Sequence, residues 1–594
     1  MIPANSPLVR ALSPYSLSDP VVGSTVTFSF ERAGSIIDTR EFTGGNSRTI
    51  DWTNAEKNVV RDTFDYIETI VDLEFDERSF GSSTIEFWQV STLAGGATGF
   101  AEPTGVGQSL IVLPTDYIFP ISYGYDNVTV IHEIGHALGL SHPFDGDARL
   151  PGVVSPYDFG AHDVNSELAT RMSYIPGYTA TYPELDIYGE PYSFGAVDIA
   201  ALQLLYGANT STGLGNTTYT GRAGELITIW DNGGTDTIDF SRAIDKVYID
   251  LRAATLEDVP DGGGYLSFID IADGTIADGG YTIAYGVEIE NAFGGAGHDR
   301  LGGNVVGNAF TGGKGNDRID GRAGFDTARY SGDKDSYTLK LSAQGTTLAD
   351  RRADRDGTDT LISIEALEFG GAEDAFELAR FNGASTLTQA QLDSVIELYI
   401  AYFNRAPAST GFNYWATELS KGYSLPEMAA SFFVQPETQR TYAELFRADG
   451  SLNDVTGFVK AAFVNVLGRE ARPEGLSYWV NELENNSEIT PPIFILALIN
   501  GAKASTGSGN GITADQQYLA IKADIGLYYA GIKGLSDAQN AAEVMAQFDG
   551  TSQSVLAAKS MTDDLYADAL DAQSGEFLFQ LVGVVDDPFA SFIG

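Results

Sequence analysis

The stretch from His132 to His142, HEIGHALGLSH, constrains this chain more than anything else in it. Its histidines fall at His132, His136 and His142, with Glu133 beside the first and Gly139 between the second and third. Side chains four residues apart share one face of an α-helix, so His132 and His136 can meet at one metal ion. Gly139 supplies the permissive backbone at which such a helix stops and turns back. The turn brings His142 in as a third imidazole and leaves one tetrahedral corner open, the ligand set of a catalytic zinc. Glu133 is then placed to work on a water in that corner. The competing reading is an ordinary amphipathic helix that happens to carry histidines. The 594 residues contain only five histidines, three of them at these positions, which argues against coincidence.

Composition narrows the partners. Lys+Arg number 35 against 81 Asp+Glu, a formal charge of -46, so nucleic acid and anionic membrane surfaces are repelled. At 43% hydrophobic and 11% aromatic the chain is not a disordered polyanion. Its carboxylates are expected to solvate the surface or bind hard cations such as calcium. With no cysteine there is no disulfide framework, no thiolate ligand and no cysteine-switch segment. The first twenty residues lack the basic start and apolar core of a secretory signal, so any export is expected to proceed without a cleaved N-terminal signal. No apolar run reaches membrane-spanning length.

In chain order, residues 1–25 read as a flexible lead-in. A helix is expected over residues 54–71, with Val60, Phe64, Ile67 and Val71 on one stripe. Residues 85–90 alternate as a strand, 109–114 read as another, and 96–103 form a Gly-rich extended segment. Small residues such as Ala97, Gly99 and Ala101 suit a sheet edge above the zinc, where a peptide could add as a further strand. An ordinary interior strand is an equally good reading of the same residues.

HEIGHALGLSHP, RMSY around Met172 and Tyr174, and VDIAALQLLYGAN (197–209) together resemble a serralysin, a secreted bacterial metzincin zinc endopeptidase. The likeness continues through residues 228–241 and 283–299 and so covers roughly 25–330. It implies His132, His136 and His142 as zinc ligands and Glu133 as general base. It implies Met172 in a turn that floors the metal, and Tyr174 as a movable fourth ligand that later binds the oxyanion.

Residues 294–329 repeat with period nine, GGAGHDRLG, GNVVGNAFT, GGKGNDRID, GRAGFDTAR. The pattern G-G-x-G-x-D-x-U-x marks a calcium-binding parallel β-roll of the RTX kind. Turn residues Gly295, Gly297, Gly313 and Gly315 offer carbonyl oxygens, while Asp299 and Asp317 offer carboxylates. Two units make one coil, so Asp299 should stack on Asp317, and Asn308 on Asp326, with Leu301 and Ile319 filling the core. About one to three roll calcium ions are expected. The resemblance implies a further calcium in the linker, with Asp231, Gly233, Gly234 and Asp236 meeting Glu288 and Glu290; Glu288 stands where the family has Thr. His162 and His298 are read as solvent-facing or structural.

Beyond residue 386 the texture is helical, with an internal repeat at an offset of 64 residues that matches Arg405 with Arg469, Gly411 with Gly475 and Trp415 with Trp479. It resembles a bacterial domain of unknown function from secreted and surface-associated proteins. The apolar-acidic C-terminus is similar to signals read by type I exporters, although a plain terminal helix would look the same.

The expected layout is multidomain: a lead-in (1–25), an α+β metzincin zinc-protease domain (26–215), a β-roll (216–330), closing strands (331–385) and an all-α domain (386–594). The expected function is a secreted, calcium-dependent zinc endopeptidase, monomeric, acting on protein substrates and exported by a type I apparatus. Two alternatives differ in the tail: a surface-binding or adhesion protein, or a protease inhibited by its own tail and acting on surface-layer proteins.

Overall fold

In the computed structural model, residues expected to belong to a flexible lead-in form a buried helix, α1 (Pro7–Leu12). Ser6 starts it: its hydroxyl accepts from the N–H groups of Leu8 and Val9, and Pro7 suits the first helical position. Leu8, Val9, Ala11 and Leu12 are all buried, so apolar burial rather than helix length holds this segment. The Ser6 hydroxyl donates to Leu256 O at 2.6 Å, and Leu12 O accepts from Ser141 N–H at 2.9 Å.

The structure describes residues 2–13, 24–38, 46–79, 81, 83–93, 97–101, 109–115, 125–176, 186–188, 190–221, 224–271, 276–370, 375–447, 449–504 and 513–590. Its compact units are Met1–Thr327 and Ala328–Gly594. No helix among the described residues is long and apolar enough to cross a membrane.

The first unit begins with a five-stranded sheet. β1 (Ser24–Phe30), β2 (Leu73–Glu77), β3 (Ile85–Val90) and β5 (Ser109–Pro114) run parallel in the order β2-β1-β3-β5, and the short β4 (Phe100–Ala101) closes the edge antiparallel to β5. Helix α2 (Asn54–Ile70) packs on this sheet, with Val60, Phe64 and Ile67 buried as its periodicity requires. Thr53 and Glu56 form a reciprocal cap at its start, and Glu56 also accepts from Gln89 Nε2 at 2.8 Å, tying helix to strand. Phe64 stacks on Phe75 with ring centres 4.2 Å apart, and Phe28 and Phe87 complete an aromatic core.

Farther along the same unit, three-residue strands stack in parallel at intervals of eighteen residues. Leu301 pairs with Ile319 in one sheet and Ala292 with Phe310 in another, and all four are buried. The chain alternates between the sheets every nine residues, so one glycine-rich repeat makes half a turn of a coil.

In the second unit, strands Tyr337–Ser342, Gly345–Asp350 and Thr358–Ile362 form an antiparallel ladder. Leu578–Val582 adds to its first strand in parallel. The all-α expectation therefore needs correction at this end. Leu578, Phe579, Gln580 and Leu581 are buried in succession, as in a strand covered on both faces. The described residues between 389 and 569 are mainly helical, and the repeat is visible in their ion pairs. Arg405 grips Glu437 through two nitrogens, and Arg469 grips Asp515 in the same way. Trp415 packs on Phe432 and Trp479 on Phe494, which makes the repeated tryptophans packing residues.

Candidate metal centre

Helix α3 (Tyr125–Ala137) carries His132, Glu133 and His136. It ends as the sequence requires: Gly139 adopts φ +96°, a left-handed conformation that favours glycine, and Leu140 N–H bonds Gly135 O at 2.9 Å. The reversed chain then delivers His142. His142 Nε2 lies 3.3 Å from His132 Nε2 and 3.0 Å from His136 Nε2. Among the described residues this is the one group of three His or acidic side chains whose ligand atoms all lie within 4.8 Å of one another.

The outward nitrogens explain the orientation. His132 Nδ1 meets Arg171 O at 2.9 Å, His136 Nδ1 meets Leu140 O at 2.8 Å, and His142 Nδ1 meets Asp145 Oδ2 at 2.6 Å. Each of these acceptors takes a proton from Nδ1, leaving the three Nε2 lone pairs converging on one point. Burial lowers the affinity of all three rings for protons, holding His136 at about 4 and His132 well below its ordinary range. For His142, burial outweighs the raising effect of Asp145. Three neutral imidazoles with converging Nε2 lone pairs have the number and geometry that fit a zinc ion.

Glu133 sits beside this point, 5% exposed, and burial raises its carboxyl to about 8. A nearby cation would draw that value down again. Gly99, just before β4, faces Glu133 so closely that a methyl group there would lie 2.8 Å from Glu133 Oε1. The small-residue segment is thus an edge strand next to the metal centre, as one of its readings required; residues 96 and 102–103 lie outside the described residues.

Tyr174 is 44% exposed, and its hydroxyl lies 2.9 Å from His142 Nε2, at the mouth of the site. Burial of the ring raises its hydroxyl to about 12, so it stays protonated at neutral pH. Met172 is fully buried beneath α3, its sulfur facing Gly135. Asp145 and Asp198 were missed from sequence. Asp145 had a local signal, an acid three residues after the third histidine. Asp198 lies in helix α4 (Ala196–Tyr206) and reaches the Met172 turn only through folding.

The calcium residues are brought together in part. Asp299 N–H donates to Asp317 Oδ1 at 2.8 Å and Asn308 N–H to Asp326 Oδ1 at 2.7 Å, the two stacks that the period implied. Asp299 also accepts from Gly295 N–H at 2.6 Å. Gly313 and Gly315 take φ +96° and +116°, and Gly295 and Gly297 lie against neighbouring backbone with no room for a side chain. In the linker, Glu290 accepts from Asp236 N–H at 2.7 Å, Asp231 holds Gly233 N–H at 3.0 Å, and Gly234 lies against Gly215. Asp231 also faces the Asp236 carboxyl. Glu288 does not join them; it is exposed and lines a separate pocket with Arg252 and Tyr285. His298 is exposed, its Nδ1 accepting from Asn316 N–H, and His162 is exposed in a left-handed turn.

Three imidazoles, an adjacent buried carboxyl and a tyrosine at the mouth form a candidate metal centre with the H-E-x-x-H arrangement. Residues 196–397 match the Peptidase M10 serralysin C terminal family. The chain is 34% identical over 266 residues to metallopeptidase AprA of Pseudomonas marginalis, covering 41% of this chain and 52% of that protein. It is 30% identical over 305 residues to serralysin of Proteus mirabilis (45% and 57%), and 38% identical over 195 residues to serralysin B of Dickeya chrysanthemi (30% and 36%). The chain spans about half the length of the first two of these relatives. Over these segments the chain is similar to serralysin-type metallopeptidases.

Proposed function

We propose that this chain is a secreted, calcium-dependent zinc endopeptidase that hydrolyses peptide bonds of extracellular or cell-surface proteins. The observation that carries the reading is the convergence of three Nε2 atoms beside a buried Glu133. His132, His136 and His142 would hold the zinc, and the ion would supply Lewis acidity toward a water and the scissile carbonyl. Glu133 takes the proton of the attacking water and delivers it to the leaving amine, a role suited to a carboxyl raised by burial. Tyr174 keeps its proton and donates a hydrogen bond to the carbonyl oxygen as negative charge develops there. β4 gives an extended peptide an edge to pair with, close to Glu133.

Asp299, Asp317, Asn308 and Asp326 would hold calcium in the coil, and Asp231, Asp236 and Glu290 would hold it in the linker. Secretion as an extended, calcium-poor chain fits an acidic coil that folds on meeting the ion. The test compares full-length wild type with Glu133→Ala in casein hydrolysis, with zinc measured by elemental analysis. The wild type should cut and hold one zinc, and the variant should hold zinc without cutting. Undiminished proteolysis by the variant would sink the assignment.

A further inference from the structure

We propose that Asp198 is a positioning residue for the metal centre, acting through Thr170 and a single peptide plane on His132. Asp198 is fully buried at the start of α4 and touches none of the three histidines' Nε2 atoms. Its Oδ2 accepts from Arg171 N–H at 2.5 Å and Gly195 N–H at 2.9 Å, and its Oδ1 accepts from the Thr170 hydroxyl at 2.6 Å. An ionised carboxylate only accepts, so Thr170 must donate to it. The hydroxyl oxygen is thereby left to accept from Met172 N–H, 3.1 Å away.

Met172 N–H and Arg171 C=O belong to the same peptide unit, which is planar and stiff. Fixing the N–H fixes the carbonyl, and that carbonyl is what His132 Nδ1 bonds at 2.9 Å. The path therefore runs from Asp198 through the Thr170 hydroxyl and the 171–172 peptide to the His132 ring. Close backbone packing supports it. A methyl group on Gly195 would lie 2.3 Å from Ala169 O, and Val197 N–H bonds the same carbonyl at 3.1 Å, so α4 and the turn move as one piece. Burial raises the Asp198 carboxyl only to about 6, which leaves it ionised at neutral pH.

The inference rests on the zinc reading and is tested by zinc affinity rather than turnover, using full-length protein with calcium present and a competing zinc chelator. Thr170→Val cuts the relay while leaving both N–H bonds to Asp198. Asp198→Asn presents an amide NH2 to the hydroxyl, which then has no acceptor at that position. Both should weaken zinc binding about 10- to 100-fold, the usual range when the partner that orients a ligand is lost. Thr170→Ser should restore wild-type affinity. Leu202→Ala, fully buried on the same helix, should lower the melting temperature and leave zinc affinity unchanged. Unchanged affinity in Thr170→Val and Asp198→Asn would overturn the proposal, as would an equal loss in Leu202→Ala. A wild type that binds no zinc would instead overturn the reading beneath it.

Discussion

Gly99→Ala tests how tightly the edge strand holds Glu133, the proposed general base. An added methyl carbon would sit 2.8 Å from Glu133 Oε1, 3.0 Å from Glu133 Cγ and 3.0 Å from Leu113 Cδ2. Ordinary contact begins near 3.4 Å, so the carboxylate must retreat by about 0.6 Å, and it cannot swing freely because Glu133 is 5% exposed. Misplacing a reacting group by about 1 Å costs on the order of 100-fold in rate, so a loss of about 10- to 100-fold in kcat is expected. KM should change less, because β4 can still pair with a peptide. The assay is steady-state hydrolysis of a quenched fluorescent peptide, with zinc content measured on the same samples. Loss of activity with zinc retained supports the placement of Glu133. A variant with wild-type kcat would refute it, since the carboxylate would then tolerate a shift that the packing says it cannot.

Glu133→Gln should stabilise the zinc-free protein above neutral pH. The folded carboxyl titrates near 8 against an ordinary 4.5, so the folded state binds the extra proton and wild-type stability falls as pH rises through that window. The glutamine variant lacks this loss. Its advantage in thermal melting, with zinc chelated and calcium kept, should grow from about pH 4.5 to about pH 8 and reach a few kcal/mol. An advantage independent of pH would contradict the shift. Leu8→Ala removes a fully buried side chain of α1 and should cost about 2–5 kcal/mol, read by denaturant unfolding; a change below about 0.5 kcal/mol would restore the flexible lead-in. Calcium should increase β-structure measured by circular dichroism, and an equally folded coil in chelator would count against calcium-linked folding.

The histidine centre was legible because its geometry is local. Helical spacing brings His132 to His136, and one left-handed glycine returns His142. The coil was legible for the same reason, since period nine fixes which residues stack. α1 was missed although Ser6 and Pro7 are proper start signals, because six residues offer too few turns for periodicity to register. The strand Leu578–Val582 was missed because a continuous apolar run has no period, and only its pairing decides between strand and helix. Asp145 was hidden by composition: in a chain with 81 acidic residues, one more aspartate three places after a histidine carries little information.

Asp198, Asp236 and Asp299 show why charge count alone could not separate structural from metal-binding acids. Asp198 is fully buried with three donors around it, which offset only part of its desolvation and leave it raised to about 6. Asp299, which accepts from Val247 and Gly295 N–H, is likewise raised to about 6, so the shift alone does not separate the two. Asp236 has one oxygen on Thr217 N–H and the other buried without a hydrogen-bond partner among the described residues, while Asp231 and Glu290 stand close enough to raise it further. A lone carboxylate satisfied by N–H groups is a structural device. Several carboxylates facing one another at the edge of an acidic coil are unfavourable until a divalent cation joins them. On that distinction Asp198 fits the positioning role proposed above, whereas Asp231, Asp236 and Glu290 fit the proposed linker calcium site.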